Sequence, residues 1–258
     1  MNLYKKYLSL HLKSELEYKL SFLMNFFTQA IILFSSYFII LNLFNKFGNL
    51  KGYTVYEIMI IYGVIQFGFA INEVFNRGFD HFDRLIVNGD FDRLLTRPRN
   101  LYLQILGWDI DYARLARVIE SLIILIIGIL KVDIVWNLYK IVTIIFMLIS
   151  AVCIFFSIYL VGAAVCFITI EGLEAKNIFT DGGRELAQYP IEIYSKPLKL
   201  FFTFIIPFAF VNYYPMLYIL EIKSNYIYMF TPLLAILYII PGILIFKRSL
   251  RYYTSSGS

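Results

Sequence analysis

Residues 78–104 read GFDHFDRLIVNGDFDRLLTRPRNLYLQ, a charged stretch with turn signals at Asn88 and Gly89 and again at Pro98, set between long apolar runs. Of the 258 residues, 60% are hydrophobic, 19% aromatic and 16% charged, and the mean hydropathy is +0.70. Soluble domains carry about a quarter charged residues, so this is the composition of an integral membrane protein. Placed on a helix, Phe79, Phe82, Leu85 and Ile86 share one side, while Asp80, Asp83 and Arg84 share the other. Gly89 then breaks the helix, since glycine readily adopts the left-handed conformation. A second amphipathic piece, Phe91, Asp92, Leu94 and Leu95, runs into Arg97, Pro98 and Arg99, where proline sets a boundary. The segment alone fits two readings, a membrane-surface helix with basic anchors and a protein-docking element.

Outward from the insert, a bilayer crossing needs on the order of 20 mainly apolar residues. Phe22–Phe44 and Val55–Phe75 precede the insert, and Leu115–Val135, Ile141–Ile168, Leu200–Tyr218 and Tyr226–Phe246 follow it. The expected fold is an all-α membrane protein with six transmembrane helices. Arg117 and Glu120 cut into the third span, and the fourth is long enough to tilt. This arrangement places 18 of the 23 basic residues on one side, leaving Lys46, Lys51, Lys131, Lys140 and Lys223 on the other. Basic residues accumulate on the cytoplasmic face, so both termini and the insert are expected there. Their position beside apolar spans also explains the net charge of +5 without a nucleic-acid partner.

Tyr4, Leu8, Leu12, Leu16 and Leu20 recur every four residues, a drifting stripe that suits an interfacial helix over residues 1–20. The apolar stretch behind it is too long for a removable signal sequence, so the start is expected to be retained. Pro207 interrupts the fifth span, and Met216–Leu220 leaves room for a short re-entrant or interfacial element after it. Cys153 and Cys166 lie 13 positions apart, roughly 20 Å of helix rise, too far to bridge. With no internal repeat or long linker, one membrane domain over 1–258 is expected.

Chemical motifs are sparse. No GxxxxGK[ST] is present to hold nucleotide phosphates, so any ATP is hydrolysed by another chain and this one is not expected to be an enzyme. Asp80, His81 and Asp83 lack a ligand set of diagnostic spacing, and no metal site is expected. Glu57, Glu73 and Glu120 fall near span ends, within reach of headgroups or water. Gln29, Gln66, Asn72 and Asn212 either line a substrate path or hydrogen-bond between helices, the second being the simpler role.

Three segments resemble the ABC-2 type permeases of bacterial ABC exporters, in the six-span branch related to daunorubicin-type and viologen-type export permeases. The insert's FDRLIVNGDFDRLLTRPRNLYLQIL is similar to that branch's "I..G.fD..LlrP" signature. AQYPIEIY and TFIIPFAFVNYYP, within Ala187 to Pro215, resemble its fifth-span region, and the ending RYYTSSGS resembles its "rYtSaGs" terminus. The resemblance implies a type V exporter architecture, with an amphipathic N-terminal helix, a cytoplasmic coupling helix and re-entrant helices after the fifth span. It implies a second permease subunit, identical or homologous, and ATPase subunits that bind ATP and Mg, with no cofactor on this chain. It also implies the bacterial cytoplasmic membrane. The 21 Tyr and 25 Phe suit an amphiphilic or hydrophobic cargo, whether drug, antibiotic, peptide or lipid-like molecule, although aromatic belts at the two interfaces are the usual reason for Tyr in membranes. Phe79, Phe82, Asp83, Leu85, Ile86, Gly89, Phe91, Asp92, Leu94 and Leu95 are then the expected ATPase-coupling residues, transmitting motion to the first, second and fifth spans. A membrane anchoring protein is the alternative from another class. An ion-coupled secondary transporter ranks behind it, for want of deep charged residues.

Overall fold

The computed structural model describes residues 2–169, 177–223 and 225–254. Every regular element among them is helical. Met1, Lys176 and the last four residues of the RYYTSSGS ending lie outside the described residues.

The hub is α3 (Val55–Phe75, numbered after α1, Asn2–Glu17, and α2, Lys19–Phe47). Thr54 and Glu57 close a capping box at its start: Thr54 Oγ1 accepts from the Glu57 N–H, and the Glu57 carboxylate accepts from the Thr54 N–H at 2.7 Å. The residues that follow are apolar on every side, and 83% of the helix's most apolar stretch is buried, as expected of a helix wrapped by others. Beyond the insert's short helices α4–α7, described below, α8 (Leu115–Lys131) runs antiparallel to α3, with Leu125 on Gly63 and Gly128 on Ile60. α9 (Leu138–Val165) is capped by Asn137, which accepts from the Lys140 N–H at 2.9 Å. It runs parallel to α3, with Phe69 and Phe155 edge to face at 5.3 Å.

Among the described residues, four helical stretches are long and apolar enough to cross a membrane: Lys19–Asn42, Val55–Phe75, Leu138–Val165 and Ile227–Tyr252. The number rises to five if a bent pair, Lys196–Ile205 and Phe208–Ile219, is counted as one span.

That pair carries the break expected at Pro207 within Leu200–Tyr218. Residues 177–192, which include α10 (Gly183–Ala187), climb alongside α3 in the opposite direction. The Arg184 guanidinium lies 4.7 Å over the Phe69 ring, Gln66 donates to Gln188 at 3.1 Å, and the Glu192 carbonyl accepts from Lys51 Nζ at 3.3 Å. The partners step from Phe69 to Gln66 to Lys51, so this stretch ends where Lys51 and the start of α9 lie. There the chain turns into α11 (Lys196–Ile205), bends by 75° at Pro207, and continues as α12 (Phe208–Ile219). Phe208, at the bend, packs on Phe155 at 5.3 Å, deep along α9. Tyr213 donates to Glu192 at 2.8 Å, and Glu221, just past α12, pairs with Lys140 at 2.6 Å. Both ends of the pair therefore lie at one end of the bundle, forming a bent hairpin. Irregular backbone at this depth is tolerated because protein surrounds it. Lys196 and Lys199, in a cleft with Glu192 and Tyr213, thus sit at the Lys51 end, opposite to where the sequence reading put them.

α13 (Ile227–Tyr252) returns along α9, with Ser157 Oγ donating to the Tyr238 carbonyl at 2.9 Å, and brings Phe246 to the insert.

The expected stripe on the N-terminal helix splits. A spacing of four drifts about 40° per step around a helix of 3.6 residues per turn. Tyr4, Tyr7, Leu8 and His11 face the chain, with Tyr7 on Gly107, His11 Nε2 against the Gly107 carbonyl at 3.0 Å and the Tyr112 hydroxyl donating to the Leu8 carbonyl at 2.9 Å. Leu12, Leu16 and Leu20 are exposed. α2, entered through a break at Tyr18, is the outermost span and leaves Leu23, Met24, Phe27, Ile31 and Phe38 exposed. In a bilayer such a face meets acyl chains or a neighbouring membrane helix.

Candidate functional site

The insert folds as four short helices: α4 (Arg77–Asp80), α5 (Phe82–Val87), α6 (Asp90–Leu95) and α7 (Leu101–Leu106). Gly89, with φ of 71°, supplies the left-handed residue between α5 and α6. Asn100 caps α7 by accepting from the Leu103 N–H at 3.2 Å, and Gln104 Nε2 donates to the Leu94 and Arg99 carbonyls, both at 3.2 Å, folding α7 back on α6.

The apolar face is not presented outward. Phe79, Phe82, Leu85, Ile86, Phe91 and Leu94 are buried against Tyr159, Leu160, Ala163 and Ala164 at the end of α9 and against Phe246. Phe82 meets Phe91 at 5.0 Å and Phe246 at 5.6 Å, and Phe79 meets Phe246 at 5.3 Å. Phe79, Phe82, Leu85 and Ile86, expected as ATPase-coupling residues, thus face the chain's own helices. An amphipathic helix buries its apolar side on the nearest apolar surface, and the protruding ends of α9 and α13 provide it within this chain. What remains outside is a rim of Arg84, Val87, Asn88, Arg93, Leu95, Arg97 and Arg99, with Val87 59% and Leu95 46% exposed. Asp92 accepts from the Tyr253 hydroxyl at 2.9 Å. Burial, that bond and the Asp92 charge push the Tyr253 phenol up to about 12. Asp83 Oδ1 is buried without a hydrogen-bond partner among the described residues.

An ion-pair network roots the insert on the spans. Glu73, at the end of α3, lies between Arg114 and Arg117, the latter at 2.5 Å. Arg114 also reaches Asp111 at 3.0 Å, Arg77 pairs with Asp111 at 2.6 Å, and His81 Nδ1 lies 2.8 Å from Asp109. Burial pushes the Asp109 carboxyl up, but the His81 hydrogen bond and the Arg77 and His81 charges outweigh it, so the group sits below the usual carboxylate range. His81 is thus turned toward Asp109. One turn beyond Arg117, Glu120 is buried with both carboxylate oxygens unpartnered among the described residues.

Three of the four deep polar residues bond between or along helices. Gln66 donates to Gln188, Asn72 Nδ2 donates to the Val152 carbonyl at 3.0 Å and to the Gly68 carbonyl at 2.7 Å, and Asn212 donates to the Ala187 carbonyl. Gln29 Oε1 is buried without a partner among the described residues.

A family model described as ABC-2 family transporter protein matches residues 30–257. The chain belongs to the ABC-2 transporter family. No match was found among curated proteins or among solved structures. The protein is therefore a multi-pass membrane permease, a transport component of the ABC kind, and its family associates with an ABC ATPase.

The sequence reading of this permease missed the network around Glu73. Its signal was Asp111, Arg114 and Arg117 at intervals of three, opposite charges that share a helical face. The Arg184–Phe69 contact had no local signal, because it depends on residues 177–192 returning along α3.

Proposed function

We propose that this permease is the membrane-spanning subunit of an ATP-driven exporter that moves an amphiphilic or hydrophobic substrate outward, with ATP and Mg bound by a separate ATPase. The chain crosses the membrane six times: on α2, α3, α8, α9, residues 177–192 and α13. Both termini and the insert are cytoplasmic, and the hairpin α11–α12 dips in from the outer side. At 17 residues, α8 rises about 26 Å, close to the hydrocarbon thickness. The exposed apolar side of α2 supports a second permease subunit alongside.

The observation that carries this reading is a polar insert in an ABC-2 chain, seated on the ends of α9 and α13 through an aromatic cluster and presenting a compact basic rim with two exposed apolar residues. The rim from Val87 to Arg99 takes the ATPase, while the buried side chains make the insert move with α9 and α13. This routes motion to the fourth and last spans, rather than to the first, second and fifth.

The test follows from the burial. Aspartate at Phe82 or Ile86 would disrupt the cluster itself, so the informative variant is Val87→Asp with Leu95→Asp, both on the rim. Co-purification of the ATPase is expected to fall about tenfold or more, as for loss of two interface anchors, with the permease's own thermal unfolding unchanged. Undiminished co-purification and transport would remove the docking role.

A further inference from the structure

A cleft of about 480 Å³ opens beside the Tyr18 break, between the junction of α1 and α2 and the ion-pair network. On its network side, Arg77 and His81 are matched by Asp109 and Asp111. Two lining groups are left over. Glu15 Oε1 accepts from the Tyr112 N–H at 2.9 Å, but Oε2 is buried without a partner among the described residues. Burial raises the Glu15 carboxyl, the Tyr112 N–H opposes this, and the Asp111 charge adds to it, so the carboxylate is under-compensated. The second group, the exposed Arg84 guanidinium, lines the same cleft and makes no ion pair or hydrogen bond of its own among the described residues. Ser14, Tyr18, Ser21 and Asn25 supply neutral hydrogen-bonding groups.

An unmet acid and an unmet base in one cleft fit a ligand that carries both charges. A purely anionic group is disfavoured, because it would answer Arg84 but bring a like charge to Glu15 in the same cleft. The cleft lies at the foot of α2, where the polar start of the chain gives way to the exposed apolar side chains Leu23 and Met24. This is the depth of lipid headgroups. We propose that the cleft binds the headgroup of a zwitterionic phospholipid, with its phosphate on Arg84, its primary ammonium on Glu15 and its acyl chains along α2. This goes beyond the transport reading and depends only on the chain being embedded in a membrane.

The full-length chain in detergent is titrated with short-chain phosphatidylethanolamine and with phosphatidylglycerol of the same acyl length, and binding is read by native mass spectrometry. Phosphatidylethanolamine is expected to bind about tenfold more tightly, the scale of one charge-assisted hydrogen bond. Glu15→Gln, which keeps an acceptor for the Tyr112 N–H, is expected to abolish that preference. Arg84→Gln, at an exposed position where folding is not at stake, should weaken both lipids about tenfold, and Arg84→Lys should restore most of the loss. Equal affinity of the wild-type chain for the two lipids, or a preference untouched by Glu15→Gln, would overturn the assignment. Soluble phosphoethanolamine is expected to compete poorly; binding as tight as the lipid's would replace the lipid with a water-soluble zwitterion.

Discussion

Glu73 and Glu120 are carboxylates buried near the same end of the bundle, yet their surroundings separate them. Glu73 is held by two arginines, whereas Glu120 has no hydrogen-bond partner among the described residues. Removing one member of a buried ion-pair group leaves the others uncompensated, at a cost of about 3–5 kcal/mol. Glu73→Gln is therefore expected to lower the thermal unfolding temperature of the detergent-solubilised chain markedly. Glu120→Gln removes a buried carboxylate that no hydrogen bond holds among the described residues and should leave stability unchanged or raised; equal losses from both would contradict the distinction. Their placement at span ends was legible in the sequence. Their difference was not, because it depends on how the turn through Asp109 and Asp111 swings Arg114 toward α3, which no periodicity encodes.

Among the elements, the insert was the most legible in its helices and the least legible in what covers them. The amphipathic pattern of α5 and α6 and the break at Gly89 could be read directly, since side-chain spacing and backbone conformation are local properties. Which surface covers the apolar face is a tertiary question, because periodicity specifies that a face is buried but not against what. The seating is tight: a Cβ on Gly78 would run into the Ile105 carbonyl oxygen, a backbone atom that cannot rotate away. Gly78→Ala should therefore push α4 off α7, costing about 1–3 kcal/mol as overpacking does, and limited proteolysis should cut within residues 78–104 at lower protease concentrations. An unchanged digestion pattern would argue that the insert is not locked to the body through this contact.

Across the whole molecule, hydropathy identified α2, α3, α9 and α13, and on the proposed topology it exchanged the fifth crossing for the hairpin beside it. Leu200–Tyr218 is the more apolar stretch, while residues 177–192 carry Asp181, Arg184, Glu185 and Gln188. A segment packed within protein can keep polar groups that lipid would reject, as Gln188 on Gln66 and Arg184 on Phe69 illustrate. In a background with Cys153→Ser and Cys166→Ser, Lys196→Cys should react with a membrane-impermeant maleimide on intact cells, and Arg93→Cys only after permeabilisation. Labelling of both from one side would eliminate the hairpin topology. The aromatic cluster also has a temporal meaning. Asp92 and its partner Tyr253 are 161 residues apart, and the rings of Phe79 and Phe82 close on Phe246. During synthesis the insert emerges early with its apolar face bare, and it receives its cover only when the last helix has been threaded into the bilayer. The basic rim thus takes its final shape only in a chain translated through Tyr253, so a ribosome that stalls before then leaves a protein with spans but an unfinished rim.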